Sequence, residues 1–276
     1  MNDIATAPKL DVRPLAGACG AEILGVDLSK PQSDATIAAI RKALLDHCVI
    51  FFRDQEIDVA QHKALALRFG KIFIHPNYKG VGADDEIVVI RREPGDKKIV
   101  GEEWHADTTM AAEPPMGAIL YAIEVPSFGG AYDALSDGMK KLIGGLKAYH
   151  SDRKVAGPRA NMNAFRTTKV REDDAWQETV SLHPVVVTHP ETGRKLLYVN
   201  HSYTYGFEGM TEEESKPLLD FLLNHGHRPE FTCRFRWRKG SIAFWDNRVC
   251  KHLAVHDSHQ ERRHMRRIQL AGTKPV

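Results

Sequence analysis

His105 and Asp107, in "GEEWHADTTM" (101–110), stand two residues apart. On an extended chain, positions i and i+2 point to one side. An imidazole and a carboxylate at this spacing can therefore grip one metal ion together. A second histidine would complete the two-histidine, one-carboxylate face that leaves three positions open on non-haem Fe(II), room for a chelating cosubstrate and O2. His183, His189, His201, His225, His252, His256, His259 and His264 are the candidates, and residue type alone leaves the choice among them open. The densest stretch is "HLAVHDSHQERRHMRR" (252–267), with four His and four Arg in sixteen residues. If the chain from about 261 is a strand, Arg263, Met265, Arg267 and Gln269 share one face, and Arg262, His264, Arg266 and Ile268 the other. Two inward arginines need anionic partners. A dicarboxylate cosubstrate and an anionic substrate would serve, because a planar guanidinium pairs with oxyanions through two bonds at once.

These residues need a scaffold, and the patterning supplies one. "DATIAAIRKALLDH" (34–47) places Ile37, Ile40, Leu44 and Leu45 on one helical face. "CVIFF" (48–52) reads as a short, fully buried strand. A second helix is expected over 58–69, stopped by Gly70. Beyond residue 115 the character turns to strands. "GAILYAIE" (117–124) is one, and "PVVVTHPETGRKLLYVN" (184–200) is two joined by a Glu-Thr-Gly turn. "FTCRFRWR" (231–238) alternates strictly, and "SIAFWD" (241–246) follows. Thr211 and Glu214 form a capping box before a helix carrying Leu218, Leu219 and Leu222, with Gly226 as its expected C-cap. Helices early, many short strands and one late helix point to an α+β fold, a sandwich or barrel with helices outside.

Composition narrows the function classes. The 276 residues carry a net charge of +2, so nothing pulls the whole chain toward nucleic acid or an anionic membrane. Arg262–Arg267 is a local basic run without a recognised nucleic-acid motif. Cys19, Cys48, Cys233 and Cys250 form no CxxC pair and read as reduced core thiols. "MNDIATAPKL" has no apolar signal region and no run is long enough to span a membrane, so a cytoplasmic protein is expected. Without repeats or low-complexity linkers, 1–276 reads as a single domain, with an insertion at 151–180 expected to cover the site.

Taken in order, the motifs resemble the taurine dioxygenase (TauD/TfdA) family of Fe(II)- and 2-oxoglutarate-dependent oxygenases. The resemblance runs through "PLAGACGAEILGVDL" (14–28), "LLDHCVIFFRDQEI" (44–57), "LALRFGKIFIHPNY" (65–78), "WHADTT" (104–109) and "PPMGAILYAIEVPSFGG" (114–130). It continues in "LHPVVVTHPETGRKLLYVN" (182–200), "FWDNRVCKHLAVHD" (244–257) and "QERRHMRR" (260–267). It implies a double-stranded β-helix (jelly-roll, cupin-like) core with flanking helices, and Fe(II), 2-oxoglutarate and O2 as cofactor and cosubstrates. It implies that His105, Asp107 and His252 are the iron ligands, that Arg263 pairs with the distal carboxylate of 2-oxoglutarate, and that Arg267, His75, Tyr78 and Thr108 meet the substrate. His256, His259 and His264 then have no family role.

The sequence departs from the family at two places. Gly129-Gly130-Ala131-Tyr132 stands where the family has Gly-Gly-Asp-Thr, which puts Tyr132 at a 2-oxoglutarate contact, or leaves it a plain core or surface aromatic. Gly101 stands where taurine dioxygenase has an Asn that holds the substrate amine. The expected reaction is hydroxylation of a small anionic substrate, taurine or another alkyl sulfonate, yielding sulfite and an aldehyde. A carboxylate such as an aryloxyalkanoate is the alternative, and a non-catalytic 2-oxoglutarate or metal sensor the alternative class. A homo-oligomer remains open.

Overall fold

A computed structural model describes residues 10–78, 80, 85–93, 95–98, 100–120, 125–126, 129–157, 167–168, 176–254 and 263–276. His256 and His259, residues 121–124 of the expected 117–124 strand and most of the expected covering insertion lie outside these residues. In chain order the strands are β1 (Asp11–Pro14), β2 (Ala21–Leu24), β3 (Val49–Phe52), β4 (Ile72–Phe73), β5 (Val88–Arg92), β6 (Gly117–Leu120), β7 (Val125–Pro126), β8 (Lys147–Ser151), β9 (Val180–Pro184), β10 (Val186–Thr188), β11 (Lys195–Leu197), β12 (Thr204–Phe207), β13 (Thr232–Cys233), β14 (Ile242–Asp246) and β15 (Arg263–Leu270). The helices are α1 (Asp34–His47), α2 (Val59–Leu67), α3 (Gly129–Asp133), α4 (Asp137–Ile143) and α5 (Glu212–Gly226). The arrangement is α+β.

The main sheet runs β1-β2-β3-β14-β6-β15-β4, with β5 also paired to β15. Its one parallel pair is β2 with β3, joined through α1, and the other pairings are antiparallel. Its central strands are buried on both faces, which is why they read as continuous apolar runs. Val49 and Phe51 of β3 join one core cluster, with Ala118, Leu120, Ala243, Trp245 and Met265. Ile50 and Phe52 join a second, with Ile119, Phe244, Ile268 and the inward residues of α1 and α2. One face of the sheet is thus closed by helices, and the other faces the smaller sheets.

Local chemistry sets the helices. Ser33 caps α1 by accepting from Thr36 N–H, and Ile37, Ile40, Ala43 and Leu44 face inward. Cys48 ends α1 in a positive-φ conformation (66°), which turns the chain directly into β3. Asp58 and Gln61 form a reciprocal capping box on α2, as Thr211 and Glu214 do on α5. α5 packs Leu219, Leu222 and Leu223 into a third cluster, beside the β12-β8-β9 sheet.

Two local expectations change. Gly226 is the last residue of α5, and His227 caps it by donating from its N–H to Asn224 O. The chain then becomes extended at Arg228, as the following Pro229 requires. The 231–238 alternation does set burial, but only Thr232–Cys233 pairs as a strand, with β7. Phe235 is instead held by stacking on Phe51, with ring centroids 4.0 Å apart, under the Arg53 guanidinium.

Candidate metal centre

The triad residues lie on backbone segments joined by main-chain hydrogen bonds. His105 N–H donates to His252 O (3.0 Å) and His252 N–H to His105 O (2.7 Å), an isolated antiparallel bridge. Ala254 N–H extends it to Gly101 O (2.7 Å). Paired residues project to the same side, and the two imidazoles accordingly sit with centroids 4.1 Å apart. His105 Nδ1 donates to the Glu103 carbonyl (2.7 Å), which leaves the Nε2 lone pair for a metal.

Asp107 follows in a turn rather than in the strand its spacing suggested. Asn247 clamps it there, accepting from Asp107 N–H (2.7 Å) and donating to Asp107 O (2.9 Å) and Pro115 O (3.0 Å). Thr108, next along, takes φ of 53°. The clamp places Asp107 Oδ1 3.8 Å from His105 Nε2 and 3.9 Å from His252 Nε2. One ligand atom from each residue lies within 4.8 Å of the others, and all three residues are buried. Among the described residues this is the one cluster of His, Cys, Asp or Glu with metal-binding geometry. Burial lowers the pKa of both imidazoles, with Asp107 opposing the shift at His105. They are therefore neutral, as metal ligands must be. Asp107 Oδ2 is buried with no hydrogen-bond partner. Two neutral imidazoles around a partly satisfied buried carboxylate are a donor set that suits a divalent iron ion.

The turn that carries Asn247 is itself pinned. Arg248 donates to Asp246 through Nε (2.8 Å) and Nη2 (2.6 Å), and His189 Nε2 lies 3.0 Å from Asp246 Oδ2. Burial would raise the Asp246 carboxyl, but these donors hold it below its usual value. His189 is thereby occupied away from the triad. His183 contacts Ala111 O, and His225 contacts Ala131 O. His201 stacks on His227, and His264 is exposed on β15.

Around the triad, Arg267 is 3% exposed and donates from Nη1 to Asp107 Oδ1 at 2.5 Å. Its Nε has no hydrogen-bond partner. Arg263 opens β15 opposite Arg92 of β5, close enough to His252 to help depress its pKa. Met265, Arg267 and Gln269 are buried on the face read from the sequence. His75 is buried and accepts at Nδ1 from Asn77 N–H (3.0 Å) and Tyr78 N–H (3.2 Å), so its Nε2 carries the proton. The Tyr78 ring lies 4.6 Å from it and packs on the first cluster. Asn77 ties this loop to buried Asp152, which also accepts from Thr179 N–H. Thr108 is fully buried beside Asp107, and its hydroxyl has no hydrogen-bond partner. Tyr132 lies on α3, half-buried against the third cluster, with the Lys140 ammonium 5.8 Å from its ring.

Three residues around the site went unread in the sequence: Asn247, Asp152 and Tyr203. Tyr203 is buried with its hydroxyl accepting from Thr108 N–H, near Tyr78, Asp107 and Arg267, and burial pushes its pKa far up. It is a neutral hydroxyl at the edge of the site. No spacing marked it. The "WDNR" run that carries Asn247 was visible only as part of a longer motif.

A mononuclear metal centre with two imidazoles and one carboxylate is the class of site this geometry defines. The pattern of the taurine catabolism dioxygenase TauD, TfdA family matches residues 11–269. The chain is similar to the alkylsulfatase of Acinetobacter baylyi, 33% identical over 96% of this chain and 86% of that protein. It is similar to the alpha-ketoglutarate-dependent sulfate ester dioxygenase of Pseudomonas putida, 33% identical over 99% and 94%. A solved structure described as a putative alpha-ketoglutarate-dependent taurine dioxygenase from Burkholderia xenovorans superposes with a TM-score of 0.82, at 34% identity, over 97% of this chain and 94% of that one. The chain belongs to the TauD/TfdA family. It is an oxidoreductase, a dioxygenase that uses Fe(II), 2-oxoglutarate and O2. No helix among the described residues is long and apolar enough to cross a membrane.

Proposed function

We propose that the enzyme hydroxylates a small alkyl sulfonate or alkyl sulfate ester at the carbon next to the sulfur-containing group. The observation that carries this is the buried Arg267 guanidinium at the edge of the triad, with an Nε–H still to be satisfied. A buried cation with spare donors favours a compact oxyanion. The His75 Nε2–H, the Tyr203 hydroxyl and the Tyr78 ring complete a wall suited to sulfur oxyanions on short chains. Two relatives named for sulfate esters support the same class. Gly101 offers no side chain to an amine, which favours unaminated chains over taurine.

In this reading His105, Asp107 and His252 hold the iron, and Arg263 pairs with the distal carboxylate of 2-oxoglutarate. Thr108 lines the substrate side. The bound iron supplies oxidation of an unactivated carbon: one O2 and one 2-oxoglutarate give a C–OH, succinate and CO2. The protein's share is to orient the substrate and keep side reactions out. A hydroxyl on the carbon bearing a sulfonate expels sulfite and leaves an aldehyde; on the carbon bearing a sulfate ester it expels sulfate. The main sheet and the β12-β8-β9 sheet would be the two halves of a double-stranded β-helix, in one domain partly covered by the segment 151–180. The test is turnover of short alkyl sulfonates and alkyl sulfates under O2, reading sulfite, sulfate and succinate. Matched release of succinate and a sulfur oxyanion is expected. Release of neither from any member of the two series would overturn the substrate class.

A further inference from the structure

We propose that Asn200 is a positioning residue of the metal centre: its amide ties the turn that carries Asp107 to Tyr203, so that the carboxylate and the edge of the site are held as one unit. Thr108, the residue after Asp107, has φ of 53°. A β-branched residue seldom adopts that conformation, and it persists only where its surroundings fix it. Asn247 grips the turn at the main chain of Asp107. Asn200 grips it from the other end, at Thr109. Asn200 Nδ2 donates to Thr109 Oγ1 (2.9 Å), and Asn200 Oδ1 accepts from Tyr203 N–H (3.0 Å). The second bond settles which way the amide faces, since a main-chain N–H can only donate. The Tyr203 hydroxyl closes the ring by accepting from Thr108 N–H. Thr108, Thr109, Asn200 and Tyr203 thus form a closed circuit of hydrogen bonds around the strained residue. The circuit is itself anchored. Thr109 Oγ1 lies 3.0 Å from His150 Nδ1, Asn200 N–H donates to Thr204 Oγ1 (2.9 Å), and Thr204 N–H donates to Asn200 O (3.1 Å). Thr108, Thr109, His150, Asn200 and Thr204 are at most 2% exposed. A lost partner here therefore leaves a buried group unmet and frees the turn to shift.

This inference rests on the reading of Asp107 as a ligand, and the experiment separates the two. Equilibrium titration with Co(II), followed by its visible absorbance, is run on the parent, N200A, T109V, T109S, Y203F, N200A/Y203F and F244A. The parent should bind one Co(II). N200A, T109V and Y203F should each bind at least ~10-fold more weakly, the scale seen when an outer residue that orients a ligand is lost. Their bound Co(II) bands should also be displaced. T109S keeps the hydroxyl and should bind as the parent does. The double variant should bind about as weakly as the weaker of its single variants, because either change opens the same ring. F244A removes packing from the helix side of the main sheet, and its folded fraction should keep the parent's affinity. N200A or T109V binding as tightly as the parent, T109S binding as weakly as T109V, F244A weakened as much as N200A, or losses that multiply in the double variant, each overturns the inference. Should N200A not fold, T109V against T109S decides. A parent that binds no Co(II) overturns the ligand reading itself, whatever the variants do.

Discussion

The two faces of the main sheet both pack apolar clusters, and they differ in the polar groups buried beside them. On the helix side, Phe52, Phe244, Ile119 and Ile268 meet the inward stripes of α1 and α2, and Phe244 packs edge-on to Phe69 at 4.8 Å. That face is apolar and stabilises by area. On the other side the same strands lead to Asp107, Arg267, His105 and His252, which are equally buried. Asp107 Oδ2, His252 Nδ1, Arg267 Nε and the Thr108 hydroxyl there have no hydrogen-bond partner. Leaving such groups unmet costs free energy. Ile268 next to Arg267, and Phe244 next to Trp245, fall on opposite faces of single strands. Both faces bury apolar area, Phe51 and Trp245 on the triad's side included, and that side carries binding capacity besides.

The sharpest break is at the ligands. His105→Ala should weaken metal binding by at least ~100-fold, beyond the range for outer residues, and abolish succinate release. Its chemical denaturation midpoint should stay close to the parent's. Phe244→Ala reverses the pattern. It should lose about 3–5 kcal/mol of stability by denaturant melts, while the folded fraction keeps its affinity for Co(II).

Asn247→Ala crosses the division, since its amide serves three backbone groups. Metal affinity should fall about 10–100-fold, together with a measurable drop in melting temperature. A fall in stability alone would show that Asp107 keeps its place without the clamp.

The most gradual effect is in acid, and it comes from the helix side. His62 of α2 is fully buried, and desolvation lowers its pKa from 6.5 to about 4, with Arg266 adding to the shift. A depressed folded-state value means that the unfolded chain binds the extra proton. Its contribution is fully present above about pH 6.5 and is lost as pH falls toward about 4. The slope is at most about 1.4 kcal/mol per pH unit. Denaturant melts between pH 7 and 4 should be less steep in His62→Gln than in the parent.

How much was legible depended on the range of the interaction. The bounds of α1 and most of its inward face showed, because apolar spacing is local, although its Ser33 cap went unread and Ala43 is buried where Leu45 was expected; the two faces of β15 showed as well. The 231–238 alternation gave burial but not pairing, because ring stacking leaves the same period-two trace as a ladder. His105 and Asp107 were visible as a pair. From residue types alone, His252 was one of eight candidates, and resemblance rather than chemistry singled it out. Asn247 and Tyr203 stayed hidden, because their partners lie about a third to a half of the chain away. A single sequence carries no periodic mark for such contacts.

The bridge between His105 and His252 bears on how such an enzyme can change. The spacing of the two imidazoles is copied from main-chain pairing, and the carboxylate is placed by an amide that also grips main chain. In the proposed reading, His75 and Tyr78 on the substrate side are side chains of a separate segment. Exchanging them would then leave the bridge and the clamp in place. A lineage could therefore trial new substrates in small steps while its oxidising centre stays in register, much as a lathe accepts new tools in a fixed chuck.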